Sequence, residues 1–185
     1  MKAVNVCGQA VGFLALTPIK AGEEGPLRTY LEGLGRSADS PLARSARTHM
    51  ARWVIVADFF NDPSFKQRKE EHLAVPWLAF SSNADGDLDG YLDELCVALS
   101  DVAGEIWGRC IGCPEPATGD ALKAYLKHNQ IDCGFFYAAY GAATVAKVKA
   151  SLAQSEQLRA FATRAQGMAP ADLQQAFVAE FGAVR

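Results

Sequence analysis

The chain lacks the short signatures that mark the commonest enzyme classes. It has no GxSxG elbow, no GxxxxGK[ST] phosphate loop and no GxGxxG turn, so acyl transfer and nucleotide chemistry have no local basis in it. Histidine is scarce. His49, His72 and His128 make no HxH, HExxH or HxxxH set, which removes the usual multi-histidine metal site. There is no block of basic residues and the formal net charge is −3, so no electrostatic footprint for nucleic acid exists. No apolar run approaches the ~20 residues of a membrane-crossing helix. The nearest stretch, from Met1 to Leu16, is broken by Asn5, Gln9 and glycines and lacks a small-x-small cleavage site, so it reads as a strand rather than a leader. The five cysteines are an odd number without small-scaffold spacing, which fits reduced thiols and a cytoplasmic protein better than a disulfide framework.

What is present is ordinary globular composition, half hydrophobic and about a fifth charged, in a chain of 185 residues that can build a real core. Val4 to Ile19 reads as a first strand, ended by Thr17-Pro18. Leu27, Tyr30, Leu31 and Leu34 then share a helical face, with Pro26 in its first turn and Gly33 and Gly35 as its stop. After a polar loop, Ser37 to Arg47, the run His49 to Phe60 is crowded with β-branched and aromatic residues and reads as a strand. Asn61-Asp62-Pro63 is a turn signal, and Lys66 to Glu71 is a mixed-charge, solvated loop. Val75 to Phe80 is a short strand, Ser81 to Asn83 ends it, and Leu88, Tyr91, Leu92, Leu95 and Leu99 form one stripe of an amphipathic helix. Ile106 to Cys113 returns to strand-like residues.

The order up to Cys113 is therefore β-α-β-β-α-β. It predicts an α+β fold of the ferredoxin-like kind, an antiparallel sheet with both helices on one face. The stretch LTPIKAGEEGPLRTYLEGL resembles the strand end, glycine turn and first helix of the dimeric α+β barrel proteins within that fold group, and the resemblance runs from Met1 to about Cys113. That group includes small monooxygenases and haem proteins such as dye-decolourising peroxidases and chlorite dismutases. The resemblance implies a homodimer and a small apolar or aromatic ligand. It allows haem as a cofactor, with His49 or His128 as the axial ligand. It carries over no catalytic residue.

Beyond a linker at Pro114 to Gly119, Asp120 is placed to cap a helix bearing Leu122, Tyr125 and Leu126. Cys133 to Tyr140 reads as one more strand. Thr144 to Thr163 reads as a helix with a break at Ser155, and Ala169-Pro170 opens a last helix, with Leu173, Phe177 and Phe181 inward, that ends at Gly182. The expected organisation is a single domain, 1–185, with a ferredoxin-like core over 1–115 and a mainly helical extension over 116–185 packed on it.

Four constellations bear on function. Asp85-Gly86-Asp87-Leu88-Asp89-Gly90 imitates the start of a calcium loop, but Cys96 stands where the bidentate glutamate belongs. A helix cap at Asp85 or Asp87 is the simpler account, and no metal site is expected. Cys110-Ile111-Gly112-Cys113 is a lone CxxC with no second ligand pair for zinc or an iron–sulfur cluster. It leaves a thiol-redox pair open beside two unreactive cysteines. On strand alternation His49 shares a face with Ala51, Trp53 and Ile55, while Arg52 points the other way with Met50 and Val54. Arg109 sits in similar apolar company beside Trp107 and Ile111. An arginine there must find an ion pair, extend to solvent, or anchor a ligand.

Three functions follow. One is a protein binding a small apolar or aromatic molecule in a cleft between sheet and helices, with His49, Arg52 and Arg109 as polar anchors. The second is a non-catalytic dimerising module. The third is a thiol-redox protein using Cys110 and Cys113. The strand His49 to Phe60 is apolar on both alternating faces, and two helices cover only one face of a sheet, so a second subunit is the expected cover for the other, with the chain's own tail, Gly119 to Arg185, as the alternative.

Overall fold

The computed structural model describes residues 5–60, 64 and 70–182. The turn expected at Asn61-Asp62-Pro63 and most of the charge run from Lys66 lie outside them. The chain divides into two compact units, Met1–Val145 and Ala146–Arg185.

The first unit holds strands β1 (Val6–Cys7), β2 (Ala10–Pro18), β3 (Thr48–Val56) and β4 (Trp77–Asp85), with helices α1 (Glu24–Gly33), α2 (Leu88–Ala98), α3 (Ala103–Ile106) and α4 (Gly119–His128). The sheet order is β1-β2-β4-β3 and every pairing is antiparallel. β2 and β3 therefore run parallel to each other, joined through α1, with β4 inserted between them. Alternation sorts the sheet. Val11, Phe13, Ala15 and Thr17 of β2 and Leu78, Phe80, Ser82 and Ala84 of β4 are buried. They join Leu27 of α1, Tyr91, Leu92 and Leu95 of α2, Ile106, Trp107 and Leu122 in one apolar cluster, Thr17 and Ser82 being its polar neighbours. Phe80 sits at its centre, with ring centroids 5.2 Å from Trp53 and 5.4 Å from Trp107.

Several sequence expectations are corrected. The first strand is a hairpin, since Gly8 at φ +65° turns the chain between β1 and β2. β4 does not stop at Phe80. Ser81 and Asn83 pair onward with Leu14 and Gly12 of β2 and with Arg52 and Met50 of β3, so the ladder on both sides overrides their weak strand propensity. β3 ends at Val56. The last strand expected of a βαββαβ sheet, Ile106 to Cys113, does not form. That stretch is helix and then a 3-10 turn, Trp107–Arg109. Ile106 and Trp107 are both fully buried, and neighbours can share one face on a helical turn but not on an edge strand. The backbone of this stretch meets the sheet only briefly, Cys110 bridging Ile19 and Ile111 N–H donating to the Pro18 carbonyl at 2.8 Å.

The outer edge of β2 is instead covered piecemeal. β1 covers Ala10 and Val11, Gln130 bridges Ala15, and Cys110 bridges Ile19. The expected strand Cys133 to Tyr140 is also absent; its Phe136 ring lies over Gly12, where a Cβ would fall 2.9 Å from it. The helix after the linker is confirmed, but its N-cap is Thr118, and Asp120 lies in the first turn.

The second unit is formed from α5 (Val145–Arg164) and α6 (Pro170–Phe181). α5 runs through Ser155 without a break. Phe161, Phe177 and Phe181 stack with centroids 5.0 to 5.7 Å apart, and Arg164 pairs with Glu180.

Candidate functional site

His49 is the extra residue of a β-bulge: the register between β3 and β4 slips between Thr48 and Met50. Simple alternation does not place such a residue. Its Nε2 lies 2.7 Å from Asp85 Oδ1, and Asp85 Oδ2 accepts the backbone N–H of Val145 at 2.6 Å. Both carboxylate oxygens are thus spoken for. Beside them, Glu94 of α2 accepts the Ser45 hydroxyl at 2.8 Å and the Ala46 and Arg47 amides at 2.7 and 3.2 Å. This network fastens α2 to the entry of β3.

Arg109 serves the far end of the sheet. Its Nη1 donates to Glu23 at 2.6 Å and its Nη2 to Glu105 at 2.7 Å, while Lys20 N–H donates to the Arg109 carbonyl. Asp85 pairs with Ala10 at one end of β2, and Lys20 follows its other end at Pro18. At about 3.3 Å per residue the two groups are separated by most of the strand's length. The three candidate anchors His49, Arg52 and Arg109 therefore share no cavity, and Arg109 is held in a structural ion pair.

Cys110 is buried, with its Sγ 3.4 Å from the Thr17 hydroxyl. Burial raises the thiols of Cys110 and Cys113, that of Cys113 to about 11, so little thiolate exists at neutral pH. Cys7, Cys96, Cys110 and Cys113 are free thiols. Asp87, not Asp85, caps α2 by accepting from Gly90 N–H at 2.8 Å, and Asp89 pairs with Lys127 at 2.6 Å. Among the described residues no group of three His, Cys, Asp or Glu could hold a metal ion, and no helix is long and apolar enough to cross a membrane. Of the two histidines considered for haem, His49 is engaged by Asp85, and His128 is exposed at the end of α4 beside an apolar hollow.

Arg52 has a different setting. β3 is an edge strand, and between its free edge and α1 runs an open groove of about 440 Å³. Leu31, Leu34, Leu42 and Ile55 supply apolar surface, and Arg28, Arg36, Arg52 and Glu32 supply the charge. Arg28 is paired with Glu24 at 2.9 Å. Arg36 and Arg52 make no ion pair among the described residues. Trp53 lines the same groove, and its buried indole N–H has no acceptor among the described residues. Arg36 and Trp53 were missed in the sequence, because Arg36 looks like an ordinary loop residue and Trp53 like ordinary core.

No known family model, curated protein or solved structure matches this chain.

Proposed function

We propose that the protein binds a small amphipathic anion, an apolar or aromatic body carrying a carboxylate or similar group, in the groove between α1 and β3. The observation that carries this reading is the pair of guanidiniums, Arg36 and Arg52, which make no ion pair among the described residues and stand beside an apolar surface that includes Trp53. Guanidinium groups present forked donors that match a carboxylate, and an indole N–H is a donor only. Glu32 in the same lining opposes a cation-free, highly charged ligand and favours a single negative charge. A volume of about 440 Å³ falls in the range of small-molecule sites.

Calorimetric titration with 2-naphthoate tests it against its neutral amide, 2-naphthamide. The acid is expected to bind about tenfold more tightly than the amide, and Arg36→Ala and Arg52→Ala each to weaken it several-fold. Equal affinity for acid and amide, or no effect of either arginine, would sink the reading.

A second reading is a homodimer of the kind the α+β barrel resemblance implies. Met50, Val54 and Val56 support it, being 70%, 45% and 36% exposed on the sheet face opposite the core. It is compatible with the first, because the groove opens along the edge of β3.

A further inference from the structure

At the other side of β3, where Val56 pairs with Trp77, the open face of the sheet sinks into a hollow of about 480 Å³. Its floor is Leu16, Val56 and Trp77. Two walls rise from it, each held by its own hydrogen bonds. One is the segment from His128 to Ile131, which docks on the free edge of β2: Leu16 N–H donates to Asn129 at 3.0 Å, and Ile131 N–H donates to Leu14 at 2.8 Å. The other carries Phe59 and Leu73, whose N–H groups both donate to Asp58 Oδ1 at 2.8 Å, while Asp58 Oδ2 is 2.7 Å from His72 Nδ1. One carboxylate thus fixes both wall residues.

Among the described residues the lining contains no Asp, Glu, Lys or Arg; its polar groups there are Asn129, Gln130 and the imidazole of His128. An ion placed there would lose hydration and find no Asp, Glu, Lys or Arg among the described lining residues, whereas an uncharged ring would bury apolar area and still meet a few hydrogen-bonding groups. We infer that this hollow is a second binding site, separate from the α1–β3 groove, for an uncharged aromatic molecule. Asp58 is its positioning residue: it touches no ligand but sets where Phe59 and Leu73 stand.

The uncharged fluorophore N-phenyl-1-naphthylamine is a suitable probe for the full chain at neutral pH. Saturable enhancement is expected, with energy transfer from Trp77 that Trp77→Phe greatly reduces. Ile131→Asp puts a charge into the hollow at a residue 42% exposed, and is expected to weaken the probe about tenfold or more. Asp58→Ala is expected to weaken it several-fold while 2-naphthoate binding stays unchanged, a split that general damage to the fold would not produce. If Ile131→Asp proves unfolded by circular dichroism, Leu73→Asp takes its place. No saturable binding, or an affinity within about twofold of wild type in the folded charge variant, overturns the proposal. Neither outcome bears on the acid-versus-amide test of the groove, so the two sites fail or stand separately.

Discussion

A few side chains hold more of this fold than their neighbours. Glu94 accepts from one hydroxyl and two backbone amides and lies 3.3 Å from Arg47 Nε. Removing it leaves part-buried donors without an acceptor, so Glu94→Ala is expected to cost about 2 kcal/mol in urea unfolding. Asp58 and His72 form an exposed pair of another kind. Hydrogen bonding to His72 and to two amides pulls Asp58 from the ordinary 3.8 to about 2, and the same partner raises His72 above its ordinary 6.5. The sign differs for the two groups. The aspartate's contribution is complete above 3.8 and is lost as pH falls toward about 2, while the histidine's is complete below 6.5 and is lost as pH rises through its raised pKa. The wall of the hollow is therefore best fixed in mildly acidic solution. An NMR titration should place the His72 midpoint above 6.5, and Asp58→Asn should lower it; a midpoint unmoved by that change would show that the pair does not form.

Elements here are positioned by their ends. The acidic turn before α2 works as a cap: Asp87 has extended backbone and accepts from Gly90 N–H, and its carboxyl is pulled below the usual range by that bond. Asp87→Ala should lower the melting temperature, and calcium should leave that of the wild type unchanged; a rise at sub-millimolar calcium would reveal a site instead. The β1–β2 hairpin depends on Gly8 in the same way. Its φ of +65° disfavours any side chain, and an added Cβ would meet the Gly141 carbonyl oxygen at 2.5 Å. Gln9 N–H donates to that same carbonyl at 2.6 Å. Gly8→Ala combines strain with a backbone clash and should cost about 2 kcal/mol. Hydrogen exchange at the Gln9 amide should accelerate with it, and an amide still protected would refute the link.

For the whole molecule the open question is the apolar sheet face. Helices and the α4 region cover one side of the sheet, and Phe136 covers Gly12 on the other, yet Met50, Val54 and Val56 stay exposed. Surfaces of this kind mark interaction sites. Light scattering at micromolar concentration is expected to give twice the mass of one chain, and Val54→Asp to return it to one. A single-chain mass that persists on tenfold concentration would leave the face to ligands alone.

The sequence by itself determined the α+β class, the helical stripes of α1, α2 and α4, the cap before α2 and the apolar character of β3; in α6, Leu173 and Phe177, expected inward, are exposed. These are local matters: periodicity, propensity and end chemistry act over a few neighbouring residues. It did not determine where strands end. Ser81 to Asn83 are poor strand formers held by ladders on both sides, and Ile106-Trp107 are good strand formers drawn into a helical turn because both side chains enter the core. The site divides in the same way. Arg52 stood out as a charge in an apolar strand, and the sequence could show that it needed an explanation. Only the tertiary structure showed that Arg109 is paired with Glu23 from 86 residues away, that a bulge turns His49 onto Asp85, and that Arg36 lines the same groove as Arg52. Such partners are distant in sequence, and no local pattern records which charges will meet once the sheet has closed.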